Sequence, residues 1–233
     1  FKNGTTLDYK VEFAADYIVR RGPNGSWVTH AGGGVYVNPL AGVNQLIQDI
    51  AEAPNGDIYI CGSFTGVSNG GSAVANTKGI ARWSKANQVW EAVGNPEAGT
   101  ADIGYVSNML FDANGDLYVG GVFTNFGGVA AADYFAKYTV STNTWSAVGS
   151  GINAEVMAIG ISPNGIIYIG GWFTEASGDT DCKYIAYWNG SAWLPLATGL
   201  NYRVQALKFE PSGKLLIGGA FTNADGTNGD YFC

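Results

Sequence analysis

Asp116-Leu117-Tyr118-Val119-Gly120-Gly121-Val122-Phe123-Thr124 decides the fold, because its ending comes back three more times. Gly-x-Phe-Thr recurs as Gly62-Ser63-Phe64-Thr65, Gly171-Trp172-Phe173-Thr174 and Gly219-Ala220-Phe221-Thr222, with successive phenylalanines 59, 50 and 48 residues apart. A period of about 50 residues made of short strands marks a radial repeat fold, the β-propeller. Such a fold presents loops and carries no chemistry of its own, so function has to be argued from the loops.

Working outward, each copy reads as four strands. The first opens on Val and carries a large apolar residue later: Val106, Met109 and Phe111; Val156, Ile159 and Ile161; Val204, Leu207 and Phe209. A turn follows, Pro54-Asn55-Gly56, Ala113-Asn114-Gly115, Pro163-Asn164-Gly165 or Pro211-Ser212-Gly213. Asn-Gly tolerates positive φ, so these read as two-residue hairpins. The second strand is almost continuously apolar, as in Ile166-Ile167-Tyr168-Ile169-Gly170-Gly171, which predicts cover on both faces. Its Gly pair predicts close backbone approach between neighbouring blades. The third strand is Ile80-Ala81-Arg82-Trp83, Phe135-Ala136-Lys137-Tyr138 or Ile185-Ala186-Tyr187-Trp188, and the fourth opens on Trp90, Trp145 or Trp193.

The Gly-Gly doublet, the Tyr and the Trp about seven positions on resemble the kelch-like propellers. More closely, the chain is similar to the "YVGG-F … IA-W … W-x-x-x-G" repeats of large bacterial surface proteins and phage tail proteins. The resemblance spans residues 14 to 233, with Cys61 departing from the first Gly of the doublet. It implies an all-β propeller of four-stranded antiparallel blades, four or five of them represented, within one domain over 1–233. Residues 43–94, 105–149 and 155–197 are then full blades, and 1–28 and 203–233 partial ones. The opening Phe1 and the stop at Cys233 within a repeat make both ends read as cut, and a larger parent ring stays open.

Composition narrows the functional classes. Gly is abundant at 35 residues and charged residues make up only 13%, which suits strands joined by tight turns and argues against disorder. A net charge of −7 and a pI near 4.6 argue against nucleic acid and anionic membrane as partners. No apolar run reaches the 18 or so residues a membrane helix needs. Cys61, Cys182 and Cys233 follow neither metal nor disulfide spacing. His30 is the single histidine, so a His-based triad or metal site is hard to assemble, and the two His with a Cys–Tyr pair of kelch-like oxidases are absent.

Candidate sites therefore fall in the loops between strands two and three (65–79, 124–134, 174–183, 222–230) and between blades (29–43, 95–105, 197–203). Trp172 and Tyr202 are the aromatic platforms a sugar would stack on. Asp179 with Asp181, and Asp225 with Asp230, cluster carboxylates as calcium requires, though neither loop matches a complete calcium signature. Trp172, Asp179, Asp181, Tyr202 and Asp225 are thus the candidate ligand-binding residues; no catalytic or metal residue is assigned, and calcium is the one cofactor left open. Asp49 and Glu52 break the pattern of the innermost strand, and a wet channel wall is the plainer reading of both.

The expected role is a non-enzymatic structural or interaction module of an extracellular assembly, at a cell surface or in a virion or phage tail. Its partners would be other protein subunits, with oligomerisation among the expectations. A glycan-binding propeller lectin is the alternative, since several weak loop sites add by avidity. A polysaccharide-degrading component is the second alternative, resting on a carboxylate pair that nothing in the sequence singles out.

Overall fold

The computed structural model describes residues 46–69, 72–196 and 200–222, together with the backbone of 20–21, 27–28 and 33–36. Three short strands come first: β1 (Arg20–Arg21), β2 (Trp27–Val28) and β3 (Gly33–Tyr36). A first four-stranded unit holds β4 (Ile47–Glu52), β5 (Ile58–Gly62), β8 (Ile80–Ser84) and β9 (Val89–Glu91), with β6 (Gly66–Asn69) and β7 (Ser72–Val74) inserted. A second holds β10 (Asp102–Phe111), β11 (Leu117–Thr124), β12 (Phe135–Thr139) and β13 (Thr144–Ser146). A third holds β14 (Val156–Ile161), β15 (Ile167–Gly171), β16 (Ile185–Trp188) and β17 (Trp193–Pro195), and β18 (Val204–Phe209) and β19 (Leu215–Gly219) begin a further one.

The sheet orders are β4-β5-β8-β9, β10-β11-β12-β13, β14-β15-β16-β17 and β18-β19, each pairing antiparallel. First strands of successive sheets lie against one another, β4 on β10, β10 on β14 and β14 on β18. This is a β-propeller of four-stranded antiparallel blades. At the N-terminal side, Arg21 of β1 faces Trp27 of β2, the register in which Tyr138 faces Trp145.

The blades hold together through repeated contacts. Phe111 meets Tyr59 of the preceding blade edge-on at 5.0 Å, and Phe209 meets Tyr168 the same way at 5.1 Å. Two fourth-strand tryptophans also reach back one blade: Trp145 Nε1 donates to Val93 O and Trp193 Nε1 to Val148 O, both at 2.9 Å. These bonds pair a buried indole N–H with a backbone carbonyl across the seam between blades.

Asp49 is less a channel wall than a staple. Its carboxylate accepts from Met109 N at 2.9 Å and Asn108 Nδ2 at 3.3 Å in the next blade, and from Ile50 N at 2.8 Å. Burial holds its pKa above the ordinary carboxylate value, while the backbone donors Met109 and Ile50 pull it down. Asn108 repeats the device, accepting from Ile159 N at 3.1 Å. Glu52 is exposed. Ile50 is 54% exposed, whereas Met109 and Ile159 at the equivalent position are buried against the preceding blade.

The Gly-x-Phe-Thr motif resolves into separate jobs. In every first strand the register slips by one residue, between Ile47 and Asp49, Val106 and Asn108, Val156 and Ala158, and Val204 and Ala206. Such a bulge pushes the first strand's backbone toward its partner. A Cβ on the motif glycine would lie 1.9 Å from Leu46 O at Gly62, 2.4 Å from Tyr105 O at Gly121 and 2.1 Å from Glu155 O at Gly171. The motif glycine is thus required by close approach within its own blade. Only the preceding glycine answers to the neighbouring blade, where Gly120 faces Val156 and Gly170 faces Val204. The phenylalanines are all buried, and their carbonyls accept from Gly79 N, Tyr134 N and Tyr184 N.

Two local expectations change. The turns are not two-residue hairpins: Gly56 N donates to Ala53 O, and of the turn residues only Gly56 takes positive φ, at 83°. Pro at position 54 fixes φ near −65°, which fits a type I turn followed by a left-handed glycine and not a type I′ turn. The segment 65–79 is not an open loop either. Its β6 and β7 form a hairpin, and β3 pairs with β6 to give a three-stranded sheet.

Candidate binding site at the junction of the third and fourth blades

Second strands end, and first strands of the following blade begin, at one end of the propeller. There Trp172 follows β15, and Tyr202 and Arg203 precede β18 across the junction between blades. The Trp172 backbone N donates to Glu155 O at 2.9 Å, and Ala220 N donates to Arg203 O at 3.0 Å, so both positions are pinned to the bulged first strands. Asn201 clamps the other side: its Oδ1 accepts from Thr222 N at 2.9 Å and its Nδ2 donates to Thr222 Oγ1 at 3.0 Å. Asn153 makes the same pair of bonds to Thr174, so the motif Thr is clamped alike in the third and fourth blades.

On this frame four side chains converge. The rings of Trp172 and Tyr202 meet edge-on at 5.3 Å, and Tyr184 lies 6.1 Å from Tyr202. The Arg203 guanidinium sits 4.4 Å over Trp172 and 5.7 Å from Tyr202, within cation–π range of both. Tyr202 is 41% exposed, so the cluster opens to solvent. Tyr184 holds φ at +63°, a left-handed conformation that a bulky residue adopts at a penalty of about 1–3 kcal/mol. The equivalent positions are Gly79 in the first blade, at φ +76°, and Tyr134 in the second, at φ +60°.

The other described junctions lack this grouping. The places of Trp172, Tyr202 and Arg203 are taken by Ser63, Gly104 and Tyr105 at one, and by Val122, Ala154 and Glu155 at the next. Glu155 is engaged by the Tyr105 hydroxyl at 2.8 Å, and burial together with that carboxylate pushes the Tyr105 pKa up to about 12.

The structure thus brings Trp172 and Tyr202 together. Asp179 and Asp181 serve their own turn: Asp181 N donates to Asp179 Oδ1 at 2.9 Å. Burial first, and then Asp179, raises the thiol of the buried Cys182 to about 11. No group of three side chains suited to holding a metal occurs among the described residues. Asp225, like His30 and Asp230, lies outside the described residues. Sequence reading missed Tyr184 and Arg203; the one signal was a cation beside Tyr202, since Tyr184 shares its repeat position with Tyr134.

Residues 210–233 match a family model described as a beta-propeller domain of unknown function, DUF5122. No curated protein matches the chain. Among solved structures the chain is similar to the extracellular domain of BT4673 from B. thetaiotaomicron, described as a hybrid two component system, with 11% identity and a TM-score of 0.57. That match covers 88% of this chain and 24% of the other, so the chain spans about a quarter of its relative's length. It is also similar to virginiamycin B lyase from Staphylococcus aureus, at 10% identity and a TM-score of 0.50, covering 89% of this chain and 58% of the lyase. At these identities the likeness is one of fold, and the fold it supports is the β-propeller.

Proposed function

We propose that this chain is an interaction module of an extracellular assembly that recognises glycans at the junction of the third and fourth blades. The observation that carries the reading is the convergence of Trp172, Tyr184, Tyr202 and Arg203 at one exposed junction of an otherwise regular repeat. Sugars bind through the apolar face of a pyranose on an aromatic ring, with hydroxyls hydrogen-bonded at its edge, and phenol and guanidinium groups supply those bonds. The B. thetaiotaomicron protein of similar fold is an extracellular domain, and an extracellular setting here belongs to the same proposal.

A glycan array probed with the whole chain tests it. Binding above background to a restricted set of sugars is the expected result. Trp172→Ala should weaken that binding about tenfold or more, the loss of one stacked ring. A blank array, or a Trp172→Ala variant that binds like the parent, would remove the reading.

A further inference from the structure

We infer that the glycan taken at this junction carries one carboxylate, as a uronate or another acidic sugar unit, held in a forked contact by Arg203 while its ring lies against Trp172 and Tyr202. The inference rests on the glycan reading above and names its ligand class.

Arg203 is the starting point. Its Nε is buried without a hydrogen-bond partner, and among the described residues no carboxylate pairs with it. Its guanidinium lies 4.4 Å from the centre of Trp172 and 5.7 Å from that of Tyr202, rings that attract a cation but accept no fork of N–H bonds. A guanidinium carries its donors in one rigid plane, and the planar carboxylate is the group that fits two of them at once. Glu155, across the same blade junction, accepts from the Tyr105 hydroxyl.

Two further observations define the ligand. The cation is specific to this junction, because Leu46, Tyr105 and Glu155 hold the equivalent place elsewhere in the repeat. The chain's net charge of −7 opposes a densely charged polyanion at long range. A single carboxylate among neutral sugars avoids that repulsion, which salt screens beyond about 8 Å at physiological strength. The aromatic rings account for the sugar, and the arginine for the acid on it.

The test uses matched oligosaccharides that differ in one group, a glucuronate and its carboxyl-reduced glucose form, with a sulfated counterpart as third arm. Calorimetry on the whole chain should show the acid bound about ten- to a hundredfold more tightly than the reduced form, the effect of a charge-assisted fork. Arg203→Gln should erase that preference while retaining binding of the reduced form, which also shows that the variant is folded. Arg203→Lys, which keeps the charge without the fork, should lose most of the preference. Lys208→Gln, an exposed cation on β18, should change nothing.

Equal binding of acid and reduced forms, a preference that survives Arg203→Gln, or stronger binding of the sulfated arm overturns the inference. If both forms bind equally and Trp172→Ala loses both, glycan recognition stands and the carboxylate claim alone falls. If neither binds, or only a peptide carboxylate does, both fall together.

Discussion

Gly171→Ala is expected to destabilise the protein by about 3 kcal/mol or more, because the new Cβ would meet backbone and not a movable side chain. It would sit 2.1 Å from Glu155 O and 3.0 Å from Val156 Cα. Relief requires the β14–β15 ladder to open at the bulge, where Trp172 N donates to Glu155 O and Gly171 N to Tyr184 O. Trp172 would move with it, so ligand binding should fall alongside stability. Gly165→Ala is the matched control. Nothing lies within 4 Å of its Cβ, and only the positive φ of 83° penalises it, by about 1 kcal/mol. Urea unfolding of the two variants measures the difference. Equal losses would mean that the bulge does not press on the glycine.

Trp193→Ala is expected to lose about 3–5 kcal/mol, as for other large aromatic side chains cut out of a core. The indole is 2% exposed, meets Phe135 edge-on at 5.6 Å and lies 5.4 Å from Trp188. Its Nε1 donates to Val148 O in the preceding blade, so the cavity would open along a seam between blades. Trp193→Phe separates the two contributions. It keeps most of the apolar bulk and leaves the Val148 carbonyl without its donor, a loss of about 1–3 kcal/mol. In a chain of this size the alanine variant should melt roughly 10 °C or more below the parent, at about 2–4 °C per kcal/mol. A phenylalanine variant as stable as the parent would show that the indole bond is dispensable.

The repeat was legible because the motif glycine and phenylalanine answer needs that recur in every described blade, close backbone approach and a buried ring. Phe64, Phe123, Phe173 and Phe221 are buried alike, and their spacing alone locates the blades. The bulge beside the motif glycine was not legible, since Gln48, Ser107, Met157 and Gln205 share no side-chain signal at the extra position. The turns were misread for a related reason: Asn-Gly permits two backbone solutions, and the Pro before it selects the type I form in the first blade. The site was half legible. Trp172 and Tyr202 stand out as aromatics in polar loops, but their 5.3 Å contact depends on two blades meeting, which no local pattern encodes. Tyr184 gave no signal of its own, because Tyr134 holds the same left-handed position in the second blade and Gly79 in the first.

The most direct test of the central claim uses the indole N–H signals of the seven tryptophans by NMR, with and without a glycan identified on the array. Stacked blades presenting one aromatic junction predict slow solvent exchange for Trp145 and Trp193, whose indoles bridge blades, and a ligand-induced shift at Trp172. Fast exchange of Trp145 and Trp193, or a ligand that shifts other indoles and leaves Trp172 unchanged, would contradict it.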